Sequence, residues 1–423
     1  MKTAFRRLAA LAAIIGSSFT LKAQLPVDWN VAELYNKVPN ASEIPNMCTA
    51  DGVKAVRLDG LTYKGEPASF FAYYQVPEGA DAEHPVPAVV LVHGGGGSAY
   101  ANWVQEWVKR GYAAISMDTT GKIPARIEND PLGLGWANWA ILPGGVNLNW
   151  GGYERSLLPI EDQWAYHAVT EVVLAHNFLR SLPGVDAERT GITGNSWGGF
   201  LTILTGAVDN RFKFVAPLYA CSFYDQFKNN LSLPGDDTSR RWLELWDPSH
   251  YLPEIKAPLM MYGGAGDVCF DFGCLEKSFL TANCPLWRVT FPAVIHTDGG
   301  APEGRPAEVY AFADQILKGG DCIPTVTLTQ SGKKKLLARF DTDRKKVVRV
   351  DFFYTTDRDG KWQDRKWQTV QYDILGDKSM KKDAALGRLF IPVPEGIYDG
   401  FVNVVTEDGL SCSSQLLEVA PME

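Results

Sequence analysis

A chain of 423 residues with 46% hydrophobic and 21% charged residues buries a sizeable core and suits a soluble globular protein of two or three domains. Its formal charge of −8 argues against nonspecific nucleic-acid binding, which rests on neutralising phosphates with Lys and Arg. At the N-terminus Lys2, Arg6 and Arg7 precede the apolar stretch Leu8–Phe19, and small residues lead up to Ala23. That is the layout of a secretory signal peptide over residues 1–23, too short to anchor in a bilayer. Its removal would take four positive charges with it and move the formal charge to −12. No later stretch is apolar and long enough to cross a membrane, and the first cysteine, Cys48, lies far from the cleavage site. The expectation is an exported protein, periplasmic or extracellular, with no membrane anchor.

From Val53 to Pro77 two β-rich segments, "VKAVRLDGLTYKG" and "SFFAYYQVP", predict an antiparallel lead-in. The pattern then changes. "PAVVLVHGG" is a continuous apolar run, as in a strand buried on both faces, and a helical stretch near Ala99–Arg110 and the strand "YAAISMD" follow. "DQWAYHAVTEVVLAHNFLRSL" has helical spacing; "RTGITG", "FKFVAPLYA", "APLMMYGG" and "LWRVTFPA" read as strands; "AEVYAFADQILKG" is a closing helix. Strands alternating with helices predict a mostly parallel sheet covered on both faces, here over residues 24–322. Residues 323–423 change texture to seven short strands separated by turns, which predicts a C-terminal β-sandwich domain.

Gly194-Asn195-Ser196-Trp197-Gly198 matches G-x-S-x-G, a pattern that works when a strand turns abruptly into a helix and lifts a strained serine above the sheet. Alone the pattern is weak; between the strand "RTGIT" and the apolar helix start "GGFLTILTGAV" it marks Ser196 as a nucleophile. His93-Gly94-Gly95-Gly96-Gly97 follows the strand "AVVLV", so backbone N–H groups can face a developing oxyanion. Trp197 and Gly94 or Gly95 are expected to supply them, with His93 ordering the loop. Neither phosphate-binding glycine pattern is present.

A base and an acid should follow the serine in the order acid, then histidine. Only His250 and His296 lie downstream. His296, just past the last strand of the alternation, is favoured as the base. Asp267, at the end of "APLMMYGGAG", is favoured as the acid over Asp271 and Asp298. The implied chemistry is acyl transfer through Ser196, His296 and Asp267. The seven cysteines show no zinc-type spacing, so no metal and no cofactor is expected, although Cys269, Cys274 and Cys284 are close enough in sequence to bridge.

At these residues the chain resembles the α/β-hydrolase superfamily, and within it secreted bacterial esterases related to dienelactone hydrolases, acetylxylan esterases and prolyl-oligopeptidase-type enzymes. The stretches "LVHGGGGSAYANWVQEWVKRGYAAISMD", "PGVDAERTGITGNSWGGFLT" and "RWLELWDPSHYLPEIKAP" carry the likeness, which covers about residues 85–318. The resemblance implies the same triad and a carbohydrate-ester substrate bearing acetyl or methyl groups, such as xylan or pectin. Between Asp118 and Glu161 a long insertion offers Trp136, Trp139, Trp150, Tyr153 and Arg155 as substrate contacts, since aromatic faces and guanidinium donors suit sugars. A serine peptidase and an inactive glycan-binding relative are the alternatives. Such peptidases carry a large gating domain ahead of the hydrolase, and only about 30 residues separate the expected cleavage site from the first strands here.

Overall fold

The computed structural model describes residues 25–45, 47, 50–124, 139–296 and 306–419. The expected leader lies outside these residues.

After a short helix α1 (Val31–Asn36), strands β1 (Ala41–Glu43), β2 (Lys54–Asp59) and β3 (Ser69–Gln75) form an antiparallel flank. Strand β4 (Val86–Val92), helix α2 (Ala101–Val108) and strand β5 (Ala113–Met117) begin the alternation. Within the insertion, β6 (Lys122–Pro124) pairs with β7 (Trp139–Ile141). Helix α3 (Trp164–Ser181) then leads to β8 (Val185–Asn195), α4 (Trp197–Val208), β9 (Phe214–Leu218), α5 (Asp237–Trp246), β10 (Leu259–Gly266), α6 (Phe272–Thr281), β11 (Leu286–Ile295) and α7 (Ala307–Leu317).

One nine-stranded sheet runs in the order β1-β2-β3-β5-β4-β8-β9-β10-β11. From β5 to β11 every pairing is parallel. The unbroken apolar runs have the reason expected of them: β4, β5 and β9 are buried on both faces because helices cover the sheet on each side. Helix α3 is buried almost all round, since it packs between the sheet, α1 and α4.

In the C-terminal region, β12 (Val326–Gln330), β13 (Lys335–Phe340), β14 (Val347–Thr355) and β15 (Trp367–Asp373) are followed by helix α8 (Lys378–Ala384) and strands β16 (Arg388–Pro392), β17 (Asp399–Thr406), β18 (Ser411–Ser413) and β19 (Leu417–Glu418). Two antiparallel sheets result, β12-β13-β16 and β15-β14-β17-β18 with β19 beside β17. Leu328, Leu336 and Ile391 of one meet Val350, Phe352 and Val404 of the other in a shared core. Eight strands stand among the described residues where seven were expected, because the last expected segment, residues 413–419, is divided between the end of β18 and β19; α8, whose Asp377 caps Ser379 and Met380, was not foreseen.

The parallel strands place their carboxyl ends on one edge. His93 follows β4, Ser196 follows β8, Asp267 follows β10 and His296 follows β11. Open parallel sheets gather ligands at this edge.

Candidate active site

Ser196 sits between β8 and α4 with φ 57° and ψ −125°, a backbone region that costs about 1–3 kcal/mol for a residue with a side chain. The surroundings hold it there. The Ser196 N–H donates to Leu218 O of β9 (2.8 Å), and Ser196 O accepts from Phe200 N–H as the first bond of α4 (2.9 Å). A Cβ on Gly198 would stand 2.1 Å from Val92 O and 2.4 Å from His93 O, so only glycine lets α4 start against the end of β4. The sharp turn is therefore specified by contacts as well as by local sequence.

Ser196 Oγ lies 3.0 Å from His296 Nε2, and His296 Nδ1 lies 3.1 Å from Asp267 Oδ2. With the imidazole proton on Nδ1, the serine hydroxyl donates to Nε2 and the ring donates to the carboxylate. Asp267 Oδ1 accepts from the N–H groups of Cys269 (2.7 Å) and Phe270 (2.9 Å), which locks the carboxylate. Asp271 is engaged elsewhere: it caps α6, accepting from Gly273 N–H and Cys274 N–H. His250 is exposed and faces Leu243 O. Asp298 lies outside the described residues.

The glycine loop meets the elbow directly. A Cβ on Gly94 would be 3.2 Å from Ser196 Cβ, and one on Gly95 would be 2.6 Å from Trp197 Cδ1. His93 orders this loop as expected: its Nδ1 donates to Gly94 O (2.7 Å), and its Nε2 accepts from Thr119 N–H (3.0 Å). Burial holds the His93 pKa below its ordinary value, against the opposing pull of Asp118, so the ring is neutral and can play both parts. Gly97 N–H also donates to Gly94 O (3.1 Å). Because a trans peptide points its N–H opposite to its C=O, pinning Gly94 O fixes the direction of the Gly95 N–H. The Trp197 N–H opens α4, where helix geometry leaves it without an intrahelical acceptor.

The proposed substrate contacts separate. Trp150 is 42% exposed and its indole packs on Trp197 (5.6 Å) and against Gly95. The Tyr153 ring is wedged between Trp197 (5.9 Å) and Trp242 (4.8 Å), and its hydroxyl is buried. Arg155 closes its own loop, donating to Asp162 O (2.9 Å) and Tyr63 Oη (3.4 Å). Trp136 lies outside the described residues, as does the Trp139 side chain. Two residues the sequence reading missed touch His296: Phe270 stacks on its ring (5.6 Å) and Tyr219 meets it edge-on (5.8 Å). Tyr219 has φ 51°, directly after β9, a strain that no residue pattern announces.

None of the six described cysteines is bridged to another, so the sequence proximity of Cys269, Cys274 and Cys284 yields no bridge among them. Instead the ligand atoms of Asp267, Cys269 and His296 gather within 4.8 Å, the sole such grouping among the described residues. A second histidine relay exists in the core: His176 Nδ1 meets Asp209 Oδ2 (2.7 Å) and His176 Nε2 meets Thr190 Oγ1 (2.8 Å). All three side chains are fully buried, so no substrate reaches them. Arg211 also pairs with Asp209 at 2.6 Å, and the strained turn and glycine loop attend Ser196 rather than Thr190.

The acetyl xylan esterase (AXE1) family model matches residues 28–251, more than half of the chain. The chain belongs to the acetyl xylan esterase family. The match includes the glycine loop and Ser196 but ends before Asp267 and His296, so the geometry alone brings those two to the serine. Among solved structures the chain is similar to an acetyl xylan esterase from Paenibacillus sp. R4, at 19% identity with a TM-score of 0.52 over 68% of this chain and 93% of that one. It is also similar to acetyl xylan esterase 1 from Thermoanaerobacterium sp. JW/SL YS485, at 17% identity with a TM-score of 0.50, covering 70% and 94%. These likenesses show the α/β-hydrolase fold. In sequence it is 27% identical to dipeptidyl aminopeptidase BIII from Pseudoxanthomonas mexicana over 274 residues, which is 57% of this chain and 34% of that protein. The chain thus spans about a third of the length of that relative.

Proposed function

We propose that this family member is an exported serine carboxylic-ester hydrolase that removes small acyl groups, acetyl first among them, from plant polysaccharide. The observation that carries the reading is the aligned path from Ser196 Oγ through His296 to Asp267, at 3.0 and 3.1 Å, on a strained turn beside a glycine loop. In the first step Ser196 Oγ attacks the ester carbonyl carbon while His296 Nε2 takes its proton. The carbonyl oxygen becomes an anion facing the N–H groups of Trp197 and Gly95. His296 then protonates the leaving sugar hydroxyl, and the acyl group stays on Ser196. Water, deprotonated by the same Nε2, releases the acid. Asp267 holds the ring in the tautomer that accepts from serine.

Trp150, 42% exposed beside the loop, is a fitting support for a sugar ring on the alcohol side of the ester. Family membership supports acetylated xylan as the substrate; methyl-esterified pectin is the variant that shares the chemistry. The similarity to a dipeptidyl aminopeptidase supplies a second reading, amide hydrolysis by the same triad.

The test is release of acetate, methanol or amine from acetylated xylan, methyl-esterified pectin, p-nitrophenyl acetate and a peptide panel, by the parent and by Ser196→Ala. Acetate release that vanishes in the variant is expected. Amine release without ester cleavage would replace the esterase reading with the peptidase one, and equal rates in parent and variant would remove Ser196 from the mechanism.

A further inference from the structure

The acid and base sit at the far end of the sheet, on elements whose outer sides face the C-terminal region. His296 follows β11, the last strand of the nine. An edge strand presents unpaired backbone groups, and at Thr290 of β11 these are met by side chains instead of a tenth strand. Thr290 N–H donates to Ser413 Oγ (2.8 Å), and Thr290 O accepts from Asn403 Nδ2 (3.0 Å) and Ser413 Oγ (3.2 Å). Asn403 and Ser413 are register partners on β17 and β18, so one sheet presents both to the same peptide. All three residues are buried.

A second set of contacts grips the other side of the acid loop. Asp267 is followed within five residues by Phe272, the first residue of α6. The Phe272 ring is buried against Trp362 (5.3 Å), Trp367 (6.2 Å) and Phe401 (6.1 Å), all from the C-terminal region. A Cβ on Gly273 would stand 2.7 Å from Trp362 Nε1, so the indole lies directly on the helix start. Trp362 is itself fixed by Arg365, whose guanidinium stacks 3.7 Å from its ring centroid and pairs with Asp399 at 2.8 Å. Ser196, by contrast, is held by β8, β9 and α4 in the interior of the hydrolase sheet.

We propose that the C-terminal region is a positioning device for the acid–base half of the site, with Trp362 and Ser413 as positioning residues that set Asp267 and His296 at their distance from Ser196. The proposal rests on the triad reading given above. Neither residue touches the reacting atoms. They act through Phe272 and Thr290, which flank the acid loop and carry the strand leading to the base.

The test uses the full chain with Trp362→Ala, Ser413→Ala and the conservative Trp362→Phe, each counted by titration of Ser196 with a fluorophosphonate so that unfolded protein does not enter the rate. Displacement of about 1 Å at the base should lower kcat on p-nitrophenyl acetate per titrated site by about 10- to 100-fold in the two alanine variants, with KM within about twofold. The low-field proton resonance of the His296 Nδ1–H to Asp267 bond should weaken in both, and Trp362→Phe should retain rate and resonance. Should Trp362→Ala not fold, Trp362→Leu takes its place under the same criteria. Unchanged kcat per site with an unchanged resonance overturns the proposal, even if fewer sites titrate, because the region would then only stabilise the fold. Full activity in Ser196→Ala would mean the triad reading had failed, whereas a dead Ser196→Ala beside fully active Trp362 and Ser413 variants rejects the positioning role alone.

Discussion

Asp267→Asn is the perturbation whose outcome the geometry constrains most closely. Asp267 Oδ1 accepts two backbone N–H groups, from Cys269 and Phe270, and only an oxygen can do so. An asparagine at 267 must therefore keep its oxygen toward the backbone and turn its NH₂ toward His296 Nδ1. A donor at that place forces the imidazole proton onto Nε2, where it faces Ser196 Oγ at 3.0 Å and cannot accept the serine proton. The residue is nearly isosteric and the fold survives, but the base is held in the wrong tautomer. Such a reversal costs about 10⁴-fold in kcat, or about 5.5 kcal/mol of transition-state stabilisation. The assay is steady-state hydrolysis of p-nitrophenyl acetate at neutral pH, with thermal unfolding measured alongside. Asp271→Asn serves as the comparison, because asparagine caps a helix as well as aspartate does and the rate should hardly move. If Asp267→Asn kept its rate within about tenfold of the parent, or if Asp271→Asn were the slower of the two, the tautomer argument and the choice of acid would both be wrong.

Three further outcomes follow from the packing and the charges. Gly198→Ala drives a methyl into Val92 O and His93 O, so the elbow and the glycine loop must part; kcat should fall about 100-fold and stability by about 1–3 kcal/mol, and a variant with parent-like rate and melting temperature would contradict it. Trp150→Ala should raise KM on an acetylated xylo-oligosaccharide by about tenfold while leaving p-nitrophenyl acetate almost untouched, and equal effects on both substrates would remove Trp150 from sugar binding. Burial pushes the Glu276 carboxyl up to about 7 from 4.5, opposed by the Leu416 N–H it accepts at 3.0 Å and by Arg288. The folded state thus favours the protonated acid, and this contribution is complete below about pH 4.5 and is lost as pH rises through about 7. Glu276→Gln, neutral throughout, should show a smaller fall in Tm between pH 5 and pH 8 than the parent; parallel Tm curves would refute it.

Much of this protein is legible before any coordinates. The apolar runs of β4 and β9, the helical spacing of α3 and the glycines around Ser196 act through neighbours in the chain, and so they announce the parallel sheet, the elbow and the loop ordered by His93. Chain order also limits the base to two histidines. What the residues alone leave open is everything settled by contacts far apart in sequence. Asp267 and Asp271 look alike in "GAGDVCFDF"; the structure separates them because one carboxylate meets His296, 29 positions away, while the other is consumed by the helix it caps. Tyr153, Arg155 and Trp150 look alike as sugar contacts, and packing leaves Trp150 42% exposed while Tyr153 and Arg155 are engaged within the loop and its neighbours. Thr190, His176 and Asp209 repeat the donor order of the site, but they are fully buried, Arg211 holds Asp209 at 2.6 Å, and no strained turn or glycine loop attends Thr190. Local chemistry specifies which groups could react; the sheet edge, and the long-range packing that brings α6 and β11 to it, decides which of them meet a substrate.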